Sequence, residues 1–152
     1  MSNHIVKESV IDHFLLKTGK WEGFGTIIIL QTGAAIHFTL DWKVRVLENG
    51  TIEIAQVTCL TETEECWQST HFIKDIQDNK FLAELYNPLY GNFHGNGMLS
   101  QSEISWRLYD EEERTVSKTQ LSLMEDGRYL LNCAYQFKGT VQISIGGILF
   151  RS

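Results

Sequence analysis

Five histidines, three cysteines and four tryptophans are the side chains with the most chemistry to offer, and their spacing specifies little of it. No H-E-x-x-H or H-x-H pair is present, so no metal site is expected. His4 and His13 fall in an apolar-periodic N-terminal stretch, and His37 lies on the polar side of an alternating one. That leaves His71 and His94 as the histidines whose contexts suggest a cavity. No G-x-S-x-G elbow gathers a nucleophile, and the glycines of "GFGTII" and "YGNFHGNG" lack the further Gly or the Lys-Ser/Thr pair of nucleotide-binding loops. Catalysis with His71 or His94 as general acid or base therefore ranks last among the readings. No cofactor is implied.

Cys59, Cys66 and Cys133 leave one thiol unpaired whatever the pairing, and no C-x-x-C or Cys/His spacing suggests zinc. They read as reduced thiols in a reducing compartment. The start of the chain carries acidic residues and His among its apolar ones, unlike a secretory signal, and no apolar run approaches the roughly 18 residues that would span a bilayer. A cytoplasmic location is expected. The formal net charge of -6, with Lys and Arg scattered singly, makes nucleic acid and anionic membrane poor partners.

The elements that must position these side chains are mostly strands. Val6, Val10 and Phe14, with Ile11 and Leu15 beside them, fit a short helix over 4–17. After Trp21 the apolar period changes to 2. In "AIHFTLDWKVRV", Ile36, Phe38, Leu40, Trp42, Val44 and Val46 alternate with polar residues, so one face is buried. "ENGT" at 48–51 then supplies an Asn-Gly hairpin turn. Similar blocks continue to the end of the chain. A length of 152 residues fits one domain over 1–152, with a barrel over 20–151.

The expected fold is all-β: a single antiparallel up-and-down barrel of about 8–10 strands with one short N-terminal helix, since closure removes the exposed edges of a long meander. In the last strand, Val141, Ile143 and Ile145 share one parity and Ile148 and Phe150 the other. A bulge at Gly146 and Gly147 is therefore expected. In "YGNFHGNGM", residues 90–98, Gly91, Phe93, Gly95 and Gly97 share one face. Either that strand bends sharply, or its glycine face widens a cavity with His94 near the rim.

Gly19, Trp21, Gly23 and Gly25 in "GKWEGFG", followed by an antiparallel meander ending in Arg151, resemble the calycin group of lipocalins, fatty-acid-binding proteins and their bacterial relatives. The chain looks most similar to cytoplasmic lipocalin-like proteins of bacteria. The resemblance implies that Gly19 and Trp21 close the barrel with a late basic residue, Arg151 or Arg128, packed over the Trp. The start "FLLKTGKWEGFG" is also similar to S-type phycobiliprotein lyases, which handle linear tetrapyrroles. Nitrobindin-like haem barrels share the Gly-x-Trp-x-Gly opening, but their iron-binding His lies late in the chain, whereas here the last histidine is His94.

These readings converge on non-enzymatic binding of a small hydrophobic or amphipathic molecule inside the barrel. Its expected lining is Phe38, Trp42, Trp67, His71, Phe93, His94, Trp106, Tyr129 and Tyr135, with hydrophobic burial supplying affinity and a few polar groups orienting the molecule. The competing reading is a filled barrel that acts through its surface, as a homodimer.

Overall fold

Alternation of apolar and polar side chains puts one face of each strand in a common interior, and with no edge left over the sheet closes on itself. A computed structural model describes residues 16–88, 91–137 and 140–152. It is a closed antiparallel barrel of ten strands: β1 (Gly19–Ile29), β2 (Ala34–Val46), β3 (Ile52–Leu60), β4 (Cys66–Gln77), β5 (Lys80–Asn87), β6 (Gly91–Leu99), β7 (Glu103–Tyr109), β8 (Thr115–Leu123), β9 (Tyr129–Phe137) and β10 (Thr140–Arg151). Each strand pairs with the next, and β10 returns to β1 from Trp21 opposite Arg151 to Ile29 opposite Ile143. Of the helix expected over 4–17, residues 4–15 lie outside the described residues. Among the described residues no helix is long and apolar enough to cross a membrane.

The hairpin at 48–51 forms as its Asn-Gly predicts. Gly50 takes φ +85°, a conformation that costs other residues dearly, and Asn49 Oδ1 accepts from the Thr51 backbone N–H.

Burial is graded along the barrel axis. At the end formed by the starts of β1, β3, β5, β7 and β9, inward residues such as Val44, Ile52, Phe81, Ile104, Leu121 and Leu149 are fully buried. Leu16, just ahead of β1, is buried with them. This is the base. At the opposite end, inward residues such as Ile27, Leu60, Trp67, Phe93 and Ile143 are only half-buried, and Tyr135 is 38% exposed. This is the mouth.

Two expectations need correction. The pairing of β10 with β1 and β9 runs without interruption through Gly146 and Gly147, and the irregularity falls instead between Val141 and Ile143. Gly147 serves a close approach between strands: it faces Gly25, where a Cβ would lie 2.7 Å from the Gly147 Cα and 2.1 Å from the Gly146 oxygen. Ile148 and Phe150 consequently face outward.

The second correction concerns the thiols, because Cys59 and Cys66 form a disulfide and only Cys133 is free. The β3–β4 hairpin sets the two directly opposite each other, with Cα atoms 4.1 Å apart, a pairing that sequence spacing alone did not reveal. The reduced-thiol argument for a cytoplasmic location falls with it.

Candidate functional site

Between base and mouth the inner wall changes character. The alternation that puts Ile52 and Ile54 inside continues with Gln56 and Thr58 on β3. The same inward positions hold Ser69 and His71 on β4, Ser117 and Thr119 on β8, and Cys133 on β9. Thr58, Ser69 and Ser117 are all buried. A belt of polar side chains in a barrel interior is costly unless each finds a partner, so where the hydrogen bonds go becomes the central question.

Most of them go to one relay. The Trp42 indole N–H donates to Gln56 Oε1 at 2.9 Å, and His71 Nε2 lies 3.1 Å from the same oxygen. Gln56 Nε2 donates to Thr58 Oγ1 at 3.0 Å. An indole nitrogen can only donate, which fixes the Gln56 oxygen toward Trp42. That oxygen can only accept, so His71 carries its proton on Nε2 and leaves Nδ1 as a bare acceptor. Nδ1 is buried with no hydrogen-bond partner among the described residues.

Aromatic rings hold the imidazole in place. His71 sits between Trp42, with centroids 6.2 Å apart, and Trp106, at 5.8 Å and nearly edge-on. Trp42 and Trp106 belong to β2 and β7, on opposite walls, so the imidazole lies well inside the barrel. Burial lowers its pKa to about 4, and at neutral pH the ring is uncharged. On the neighbouring wall Thr119 and Cys133 are in contact, Oγ1 to Sγ at 3.3 Å, and burial pushes the Cys133 thiol up to about 11.

Of the side chains expected in a site, the structure brings Trp42, His71 and Trp106 together. Phe38, Trp67, Phe93 and Tyr135 take inward positions between this group and the mouth, Phe38 fully buried and the others partly exposed. His94 and Tyr129 stand apart. His94 is on the outward side of β6 and exposed, while Tyr129 lies at the base with its ring 5.4 Å from Trp21. Gly19, Trp21 and Arg151 meet at the base: Arg151 is paired with Trp21, and its guanidinium is 3.4 Å from where a Gly19 Cβ would stand.

The glycine row of β6 does face inward, yet at Gly95 and Gly97 it opens no space. A Cβ on Gly95 would fall 1.8 Å from the Arg107 carbonyl oxygen, and one on Gly97 would strike the Phe81 ring at 2.3 Å. Those glycines let β6 coil tightly against β7 and let Phe81 pack down on it. Two concavities of about 460 Å³ open on the outer wall instead. One runs over β6 to β10 between outward side chains such as Arg107, Lys118 and Asn132, and nothing from the opposite wall lines it. The other lies between Phe24, His37 and Ile148.

Gln56, Thr58, Ser69, Ser117, Thr119 and Cys133 are not among the site residues expected from sequence. The signal was present in "TIEIAQVTCL", where the inward parity changes from Ile to Gln and Thr without a change of period.

No family model matches the chain, and no curated protein matches it in sequence. Among solved structures, the chain is similar to the crystal structure of Rv2717c from M. tuberculosis, with a TM-score of 0.71 at 12% identity over 94% of this chain and 97% of that one. At that identity the likeness establishes a shared barrel fold over essentially the whole length.

Proposed function

We propose that the protein binds a small hydrophobic or amphipathic molecule inside a calycin-like barrel, without a catalytic step. One observation carries this reading: a buried polar belt, with an imidazole nitrogen that has no partner among the described residues, lies below an end ringed by the partly exposed Trp67, Phe93 and Tyr135. A barrel evolved only to be filled gains nothing from burying Gln, Thr, Ser and His at its centre, whereas ligand sites combine apolar walls with a few orienting polar groups. Affinity would come from apolar burial, at about 25 cal/mol per Å².

Native mass spectrometry of protein purified from its own cells tests the reading, together with tryptophan fluorescence during titration with fatty acids, haem and bilins. A retained small-molecule mass, or saturable quenching that weakens in Trp42→Ala or Trp106→Ala, is the expected result. An apo mass with no response to any of these would overturn it.

The second reading, pairing of two copies through the outer wall, is favoured by a different observation. Phe24 is 54% and Leu130 42% exposed, with Ile148 between them in register, and Phe150 stacks edge-on against Phe24 at 6.1 Å. Light scattering of wild type and Phe24→Ser distinguishes the two: a dimer that Phe24→Ser converts to monomer supports pairing, and a wild-type monomer rejects it.

A further inference from the structure

We propose that the ligand held inside the barrel presents an uncharged hydrogen-bond donor, a hydroxyl or an N–H group, to Nδ1 of His71. The inference deepens the binding reading above and rests on it.

The Trp42 indole N–H is a donor with no alternative role. Trp42 Nε1 must donate, Gln56 Oε1 must therefore accept, and His71 Nε2 must donate to that oxygen. With the buried ring neutral, the free valence of the relay is an acceptor. A ligand carbonyl, ether or other acceptor-only group placed there would meet a lone pair. A donor would complete the chain Trp42, Gln56, His71 and remove the cost of a buried nitrogen that has no partner among the described residues.

Charge selects further. The inward strand positions between base and mouth carry no Lys, Arg, Asp or Glu among the described residues, and Arg151 sits at the base. Nothing on that wall can neutralise a carboxylate, and His71, held neutral by burial, does not substitute for a cation. The relay therefore suits an alcohol, phenol, amide or indole type of head group. Ionised fatty acids are disfavoured, even though their tails would suit the walls.

Two matched probe series test this by calorimetry on the full chain at neutral pH: naphthol, methoxynaphthalene and naphthoate, and decanol, decyl methyl ether and decanoate. In wild type the hydroxyl member of a series should bind roughly tenfold more tightly than its ether, with the anion weakest. In His71→Phe the hydroxyl and ether should bind alike. Should that variant fail to fold, nitrogen NMR of wild-type histidine rings serves: Nδ1 of His71 should shift on adding the hydroxyl probe and stay still with the ether. Equal hydroxyl and ether affinities in wild type, or tighter binding of the anion, would overturn the donor inference and leave interior binding intact. No binding of any of the six probes would overturn both.

Discussion

Acid should loosen this barrel through one residue. His71 in an unfolded chain titrates near the ordinary 6.5, while burial holds it at about 4 in the folded protein. Between those values the unfolded state binds a proton that the folded state does not, so stability is complete above 6.5 and falls as pH drops toward 4. Worked through, the loss is about 2 kcal/mol at pH 5 and about 3 kcal/mol at pH 4, against a total stability of roughly 5–15 kcal/mol for an ordinary domain. Asp110 and Asp126 complicate only the acid extreme, because hydrogen bonds from the Arg114 and Arg128 backbone N–H groups hold their carboxyls below the usual value. The perturbation is His71→Phe, which keeps an aromatic ring between Trp42 and Trp106 and leaves Gln56 Oε1 its bond from Trp42. Urea unfolding of both proteins from pH 8 to pH 4 is the assay. Wild type should lose about 1 M of midpoint by pH 5, at a slope of about 2 kcal/mol per M, and the variant should lose far less. Parallel pH profiles in the two proteins, or an NMR titration of native His71 near 6.5, would refute the reasoning.

Cys133, partly buried with its pKa pushed up to about 11, should react far more slowly with a thiol reagent in the native protein at pH 8 than in urea; equal rates in the two would contradict its placement. Replacing Cys59 and Cys66 by Ser should cost about 2 kcal/mol by the chain-entropy estimate for a bridge between residues seven apart, read as a lower thermal midpoint. Gly95→Ala should cost roughly 3 kcal/mol or more, since its Cβ would meet the Arg107 carbonyl at 1.8 Å, whereas Gly146→Ala, with nothing within 4 Å, should stay within about 0.5 kcal/mol. Equal effects at the two glycines would undo the close-approach account of β6.

What could be read from the sequence follows from what each signal encodes. Period-2 alternation reports only which face of a strand is inside, and that suffices for a closed meander, for the inward Phe38, Trp42 and Trp106, and for the Asn49-Gly50 hairpin. It does not report what lies opposite. Cys59 and Cys66 pair because the β3–β4 register makes them partners, and register emerges only once the turn has closed. Gly146 and Gly147 look like a slip in parity until β1 is seen passing close to Gly147. His94 is a rim residue only if the glycines on the opposite face of β6 mean room. The same glycines are where the neighbouring backbone and Phe81 already sit.

The quieter signal was the more informative one. Aromatic side chains on an inward face are what any core would use, so Trp42 and Trp106 alone could not separate a filled barrel from a binding one. The binding reading rests instead on Gln56. An amide at the centre of a barrel must satisfy both its ends, and here it does so through Trp42, Thr58 and His71, at the cost of leaving one imidazole nitrogen without a partner among the described residues. A core with no further purpose would be more stable with Leu at position 56 and Phe at position 71. If the double variant Gln56→Leu/His71→Phe proves more stable than wild type and also loses selectivity for hydroxyl probes over ethers, the relay exists for recognition. A gain in stability with selectivity unchanged would assign the selectivity to another part of the wall.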